Sequence, residues 1–202
     1  MNTYDYNFYG DYNTNRYQTY HYNQEANNLK MTIAQWIEAG GTVLSAIGNT
    51  PIDFLSASFL YDINLIGDFL QVGATSVQID AEDSLTFNSL GNITQVIGNT
   101  EEIAGYILFV NDQTEQNLLV NQGNAIQAVG VALSLTFFLE QQNNLVNMYN
   151  IYSNLLQIIG LGMQSLSSIS TLSTDQSQTL NVIGNWIQAI GAILAAIAQT
   201  LD

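Results

Sequence analysis

The residues able to do chemistry are few and poorly grouped. Two short acidic runs, Asp80-Ala81-Glu82-Asp83 and Glu101-Glu102, put carboxylates close enough in sequence to hold a calcium ion. The first lacks the loop length and turn glycine of a calcium hand, so a solvated junction describes it better. A glycoside hydrolase needs two carboxylates across a cleft, and Asp62 and Asp68 are the acids inside repeated segments. An exposed helix face accounts for both. Ser165, Ser167, Ser168 and Ser170 form a serine-rich stretch with no base beside it. The single histidine, His21, stands in a segment with no rigid neighbour to orient it. There is no cysteine and no phosphate-cradling GxxxxGK. These absences predict a protein that is not an enzyme, with no catalytic residue, no cofactor and no metal.

Composition narrows the partners. The chain has 202 residues, with 17 Asp or Glu against 2 Lys or Arg, and a formal charge of −15. Two basic residues cannot neutralise a row of phosphates, which excludes nucleic acid as a partner. Only 9% of residues are charged, while 47% are apolar, enough to bury a core in one domain. The balance is made up by 23 Asn and 18 Gln.

A recurring octet organises the chain. It reads GNWIQAIG at 184–191, GNAIQAVG at 123–130, SNLLQIIG at 153–160 and GNITQVIG at 91–98, with looser copies GDFLQVGA at 67–74 and AQWIEAGG at 34–41. The Gln-equivalent positions Glu38, Gln71, Gln95, Gln127, Gln157 and Gln188 are spaced 33, 24, 32, 30 and 31 apart. A period in this range signals supersecondary units that stack on one another.

The unit is helical. Ile183, Trp186, Ile187, Ile190, Ile193, Leu194, Ile197 and Leu201 follow steps of three and four, not alternation. The complementary stripe, including Gly184, Asn185, Gln188 and Gly191, is small or amide and carries no charge. Recurring glycine costs about 0.5–1 kcal/mol each in helix propensity and so predicts close backbone packing. Gly98, Gly130, Gly160, Gly184 and Gly191, the amides Gln127, Gln157 and Gln188, and the tryptophans Trp36 and Trp186 are therefore the expected packing or assembly residues. The amides are expected to solvate outer helix faces. Breaks are expected at Asn49-Thr50-Pro51, with Asp53 favouring the next helix start, and at 79–83, 111–114, 141–144 and 170–176. Acids beside these breaks suit helix N-termini. The apolar stretch AGYILFV at 104–110 leaves the helix count near the middle open. The expected fold is all-α: six or seven antiparallel helices over residues 31–202, in a bundle or layered repeat array.

Residues 1–30 form a separate Tyr/Asn-rich segment. It holds Tyr4, Tyr6, Tyr9, Tyr12, Tyr17, Tyr20 and Tyr22, and no aliphatic residue before Ala26. Without a hydrophobic contribution it is expected to be a disordered or extended tail. It has neither the basic start nor the apolar run of a secretory signal, so cytoplasmic synthesis is expected.

The phrases IAQWIEAGGTVLSAIGNTP at 33–51 and IGNWIQAIGAILAAIA at 183–198 resemble uncharacterised repetitive proteins of spore-forming Gram-positive bacteria, which carry W-I-x-A-x-G in successive copies. The resemblance implies a bacterial repetitive protein and supplies no activity.

The leading expectation is a structural or interaction protein, self-assembling at a spore or cell surface, with itself or another surface protein as partner. The alternative is a membrane-active helical protein, a pore former or holin-like cluster, because residues 141–174 and 176–201 carry no charge. The scarcity of Lys and Arg to set a topology counts against it. A carrier of an apolar ligand between helices comes third.

Overall fold

A computed structural model describes residues 6–167 and 171–202, with side chains from Gln24 onward. Within those residues there are six helices and no strand: α1 (Tyr6–Gly48), α2 (Ala57–Ala81), α3 (Phe87–Leu108), α4 (Gln113–Leu139), α5 (Leu145–Leu166) and α6 (Thr174–Leu201). Each carries one octet. The all-α expectation holds, and the helix count is six.

Local chemistry sets the helix starts. The hydroxyl of Ser56 accepts the N–H of Phe59 at the head of α2. Asp53 therefore does not cap α2, contrary to expectation; a turn through Leu55 separates it from the helix. Thr86 with Ser89 and Ser173 with Gln176 form reciprocal capping boxes on α3 and α6. Asp112 and Asn144 cap α4 and α5 through their side-chain oxygens. Two other breaks shift. α2 continues through Ala81, so the turn expected at 79–83 starts at Glu82, and most of AGYILFV completes α3.

The boundary expected between residues 30 and 31 falls inside α1. No Pro or Gly interrupts residues 24–39, and Lys30 and Asn27 reach Asp80 and Asp83 at the far end of α2, at 3.1 and 3.2 Å. These contacts carry the helix past the octet. The side chains of Tyr4 to Tyr22, and hence the tail's expected behaviour, lie outside the described residues.

The helices form a closed antiparallel ring. Each packs on its chain neighbours and α6 returns to α1, while across the ring Gln116 of α4 donates to the Tyr61 hydroxyl of α2 at 3.4 Å. The tightest pairs are the hairpins α1–α2, α3–α4 and α5–α6. Glycine sets their spacing. A Cβ on Gly98 would lie 2.5 Å from the carbonyl oxygen of Gly123, and one on Gly123 would lie 2.5 Å from that of Gly98. Gly91 with Gly130, Gly160 with Gly184, and Gly41 with Gly67 repeat the reciprocal approach at 2.5–2.7 Å. A Cβ on Gly191 would lie 2.7 Å from the Gln157 side chain and 2.9 Å from the Ser153 carbonyl oxygen of α5. Small residues that let backbones touch are the means by which helices associate when no hydrophobic drive is available between them.

The distribution of side chains is inverted. The fully buried apolar residues are chiefly alanines, with Leu161 and Val131, and the continuous cluster is only Ala39, Ala192 and Ala196. Large apolar side chains face outward instead: Ile33, Trp36 and Ile37 on α1, Ile66, Phe69 and Leu70 on α2, Ile93 and Ile97 on α3, Val129 on α4, Leu155 and Ile159 on α5, and Ile183, Trp186 and Ile190 on α6.

Candidate functional site

The octet's polar positions are the inner face of the ring. Asn92 and Gln95, Asn124 and Gln127, Asn154 and Gln157, Asn185 and Gln188, and Asp68 and Gln71 are all buried. Gln127, Gln157 and Gln188 were expected to solvate outer faces; the structure reverses that reading. On each helix the amides share a stripe with the packing glycines, so hairpin formation turns them inward together. Asp68, expected on an exposed face, is buried for the same reason, since it stands beside Gly67. Asp62 is exposed, as expected.

Two zones follow the ring axis. At the end where α1, α3 and α5 enter the ring and α2, α4 and α6 leave it, a chamber of about 620 Å³ is lined by residues of all six helices. Glu38, Gln78, Asn92, Gln157 and Gln199 contribute to its wall. Gln35 donates to Gln78 at 2.9 Å, and Gln78 in turn donates to the Glu38 carboxylate. Two buried wall atoms have no partner: the Ser134 hydroxyl and the Asn147 side-chain oxygen.

Toward the opposite end the interior is filled by hydrogen-bonded polar side chains. Asn49 donates to Asn64 at 2.6 Å and accepts from Asn181 at 3.2 Å, joining α2 to α6. Ser45 donates to Asp68 at 2.8 Å, and Gln71 donates to Ser45 at 3.1 Å. Gln127 donates to Glu102 at 3.0 Å, and Gln164 to Gln188 at 2.7 Å. Glu102, considered above with Glu101 as a calcium ligand, is buried here.

Three buried carboxylates, Glu38, Asp68 and Glu102, thus face amides and hydroxyls and no cation. The only basic side chain described, Lys30, pairs with Asp80 at the exposed end. Among the described residues no three His, Cys, Asp or Glu groups converge as metal ligands. Glu82 instead accepts from Ser89, Asn88 and Thr86 and orders the α2–α3 turn.

The outer face has its own polar logic. Exposed hydroxyls of Ser76, Thr94, Thr100 and Thr136 each donate to the carbonyl four residues earlier, at 2.7–3.1 Å. Such back-bonding leaves no unpaired donor on an apolar surface. The indole N–H of Trp36 donates to Thr200, and that of Trp186 to Thr50, both at 3.0 Å. Because α1 and α6 are antiparallel, the two indoles lie at different levels along the ring axis. Fourteen positions separate Trp36 from Thr50, about 21 Å at about 1.5 Å per residue.

Residues 29–196 match Family of unknown function (DUF6944), and the chain belongs to that family. Neither a curated protein nor a solved structure matches it.

Proposed function

We propose that this member of a family without an assigned activity is a membrane-embedded helical ring that lines a polar passage through the bilayer. The observation that carries the reading is the inversion: amides and carboxylates inside, isoleucine, leucine, phenylalanine and tryptophan outside. In water, such a belt far exceeds the isolated apolar patches of ordinary monomers. In lipid it is the expected exterior, and the polar stripe is the expected interior.

Dimensions support the same reading. The complete helices α2 to α6 have 22 to 28 residues, about 33–42 Å at about 1.5 Å per residue. That exceeds a hydrocarbon core of about 30 Å by a margin that tilt absorbs. α4 and α6 are each long and apolar enough to cross a membrane. α2, α3 and α5 each bury five polar side chains on the inner face. Exposed carboxylates such as Asp53, Asp80, Asp83, Asp112, Glu140 and Asp175 lie in or beside the interhelix connections, where headgroups and water would meet them. Six octets with matching inward positions support descent from one duplicated helical unit. A spore setting rests on the sequence resemblance.

Fractionation tests the proposal. The protein expressed with its full chain should stay in the membrane pellet through an alkaline carbonate wash and leave it only with detergent. Release by carbonate, or solubility without detergent as large homo-oligomers, would instead support surface self-assembly, with further copies covering the belt.

A further inference from the structure

The chamber at the α2–α3, α4–α5 end supplies the sign and size of what the passage takes. Its charged wall groups are all carboxylates: Glu38 deep in the wall, and Glu82, Asp83 and Asp202 nearer the mouth. Among the described residues, no Lys, Arg or His side chain lines it. Asp68 and Glu102 continue the acidic lining along the axis, buried and without a cationic partner among the described residues. A carboxylate taken from water without a fixed counter-charge either keeps a proton or draws in a mobile cation, and a hydrated chamber open to solvent allows the second.

A second observation points to a ligand at the same place. The Ser134 hydroxyl and the Asn147 side-chain oxygen, 3% and 6% exposed as residues, line the chamber without a hydrogen-bond partner. Buried polar atoms are nearly always satisfied, and orphans call for a solvated occupant. The chamber is far larger than a bare ion. Among the described residues no three carboxylates converge as the core of a calcium or magnesium cage. Amide and hydroxyl walls that hydrogen-bond an ion's own water shell suit a weakly held monovalent ion.

We infer that this chamber takes hydrated monovalent cations and admits them to the lumen while rejecting anions, with Glu38 as its selectivity-determining residue. The inference rests on the membrane reading above. Rings of acidic side chains select cations in this way in channels generally.

The test uses the full chain reconstituted into planar bilayers under a potassium chloride gradient, with carbonate-resistant insertion checked on matching vesicles. The reversal potential should report preference for potassium over chloride by roughly tenfold. Glu38→Gln should lower that preference by at least about threefold, while Asp53→Asn, in the loop at the opposite end, should keep it. Should Glu38→Gln fail to insert, Asp83→Asn at the mouth, outside any helix, reads the same charge and should lower the preference in the same direction. An inserted protein that passes no current, shows no preference for potassium, or keeps its preference in both variants overturns this inference alone. A protein that never inserts overturns the membrane reading and this inference together.

Discussion

Gly160→Ala is expected to lower stability by about 1–3 kcal/mol, the cost of overpacking a filled contact. The direction is opposite to helix propensity, which favours alanine over glycine by about 0.8–1 kcal/mol. A Cβ at Gly160 would lie 2.5 Å from the Gly184 carbonyl oxygen, 2.6 Å from the Gln188 nitrogen and 3.0 Å from the Gln188 Cα. All three are backbone atoms, so no side chain can move aside and α5 must part from α6. Gly73 and Gly162 are the contrast, because a Cβ on either meets nothing within 4 Å. Gly73→Ala should therefore stabilise by about 0.5–1 kcal/mol. Unfolding of the purified variants in detergent checks the pair. Equal signs at positions 160 and 73 would remove the claim that glycines set the hairpin spacing.

Ile97→Asp and Ile190→Asp carry the other large effect. Both isoleucines are 55% exposed and lie near the middle of α3 and α6. In water an acid at such a position is neutral or helps solubility. At the centre of a bilayer it costs about 2.5–3.5 kcal/mol on insertion scales. The expected result is a sharp fall in membrane-integrated protein for each variant. Asp replacing Phe54, an apolar residue in the exposed α1–α2 connection, should leave integration almost unchanged. Improved yield of soluble protein from Ile97→Asp would speak for an aqueous exterior.

The helices were legible because their signal is local. Steps of three and four among Ile183, Trp186, Ile190 and Ile197 identify a helix whatever surrounds it. The contact glycines were legible too, since a residue that weakens a helix recurs at fixed octet positions only where packing repays it. What could not be read was which stripe faces inward. Periodicity is indifferent to solvent: the same two faces describe an apolar-cored bundle in water and a polar-cored ring in lipid. The clue was the stripe of Gly184, Asn185, Gln188 and Gly191, which has no Lys or Glu where a water-facing helix would carry them. Because the amides share that stripe with glycines that must touch a neighbour, they had to turn inward, and the isoleucines outward. The inward positions of Asp68 and Glu102 follow from their register with Gly67 and Gly98. The chamber was beyond sequence reading, as it depends on α6 returning to α1 to close the ring.

The absence of cysteine from the chain makes the inversion directly measurable. Single cysteines would be placed at Ile66 and Ile159 on the outer face and at Gln35 and Gln199 on the chamber wall. Each variant would be reconstituted in lipid vesicles and exposed on both sides to a charged, water-soluble maleimide. The account predicts labelling at positions 35 and 199 and protection at 66 and 159, with the outer pair reactive once the lipid is replaced by denaturant. Rapid labelling at 66 and 159 together with protection at 35 and 199 would contradict it, and would mean that water covers the apolar belt and not the lumen.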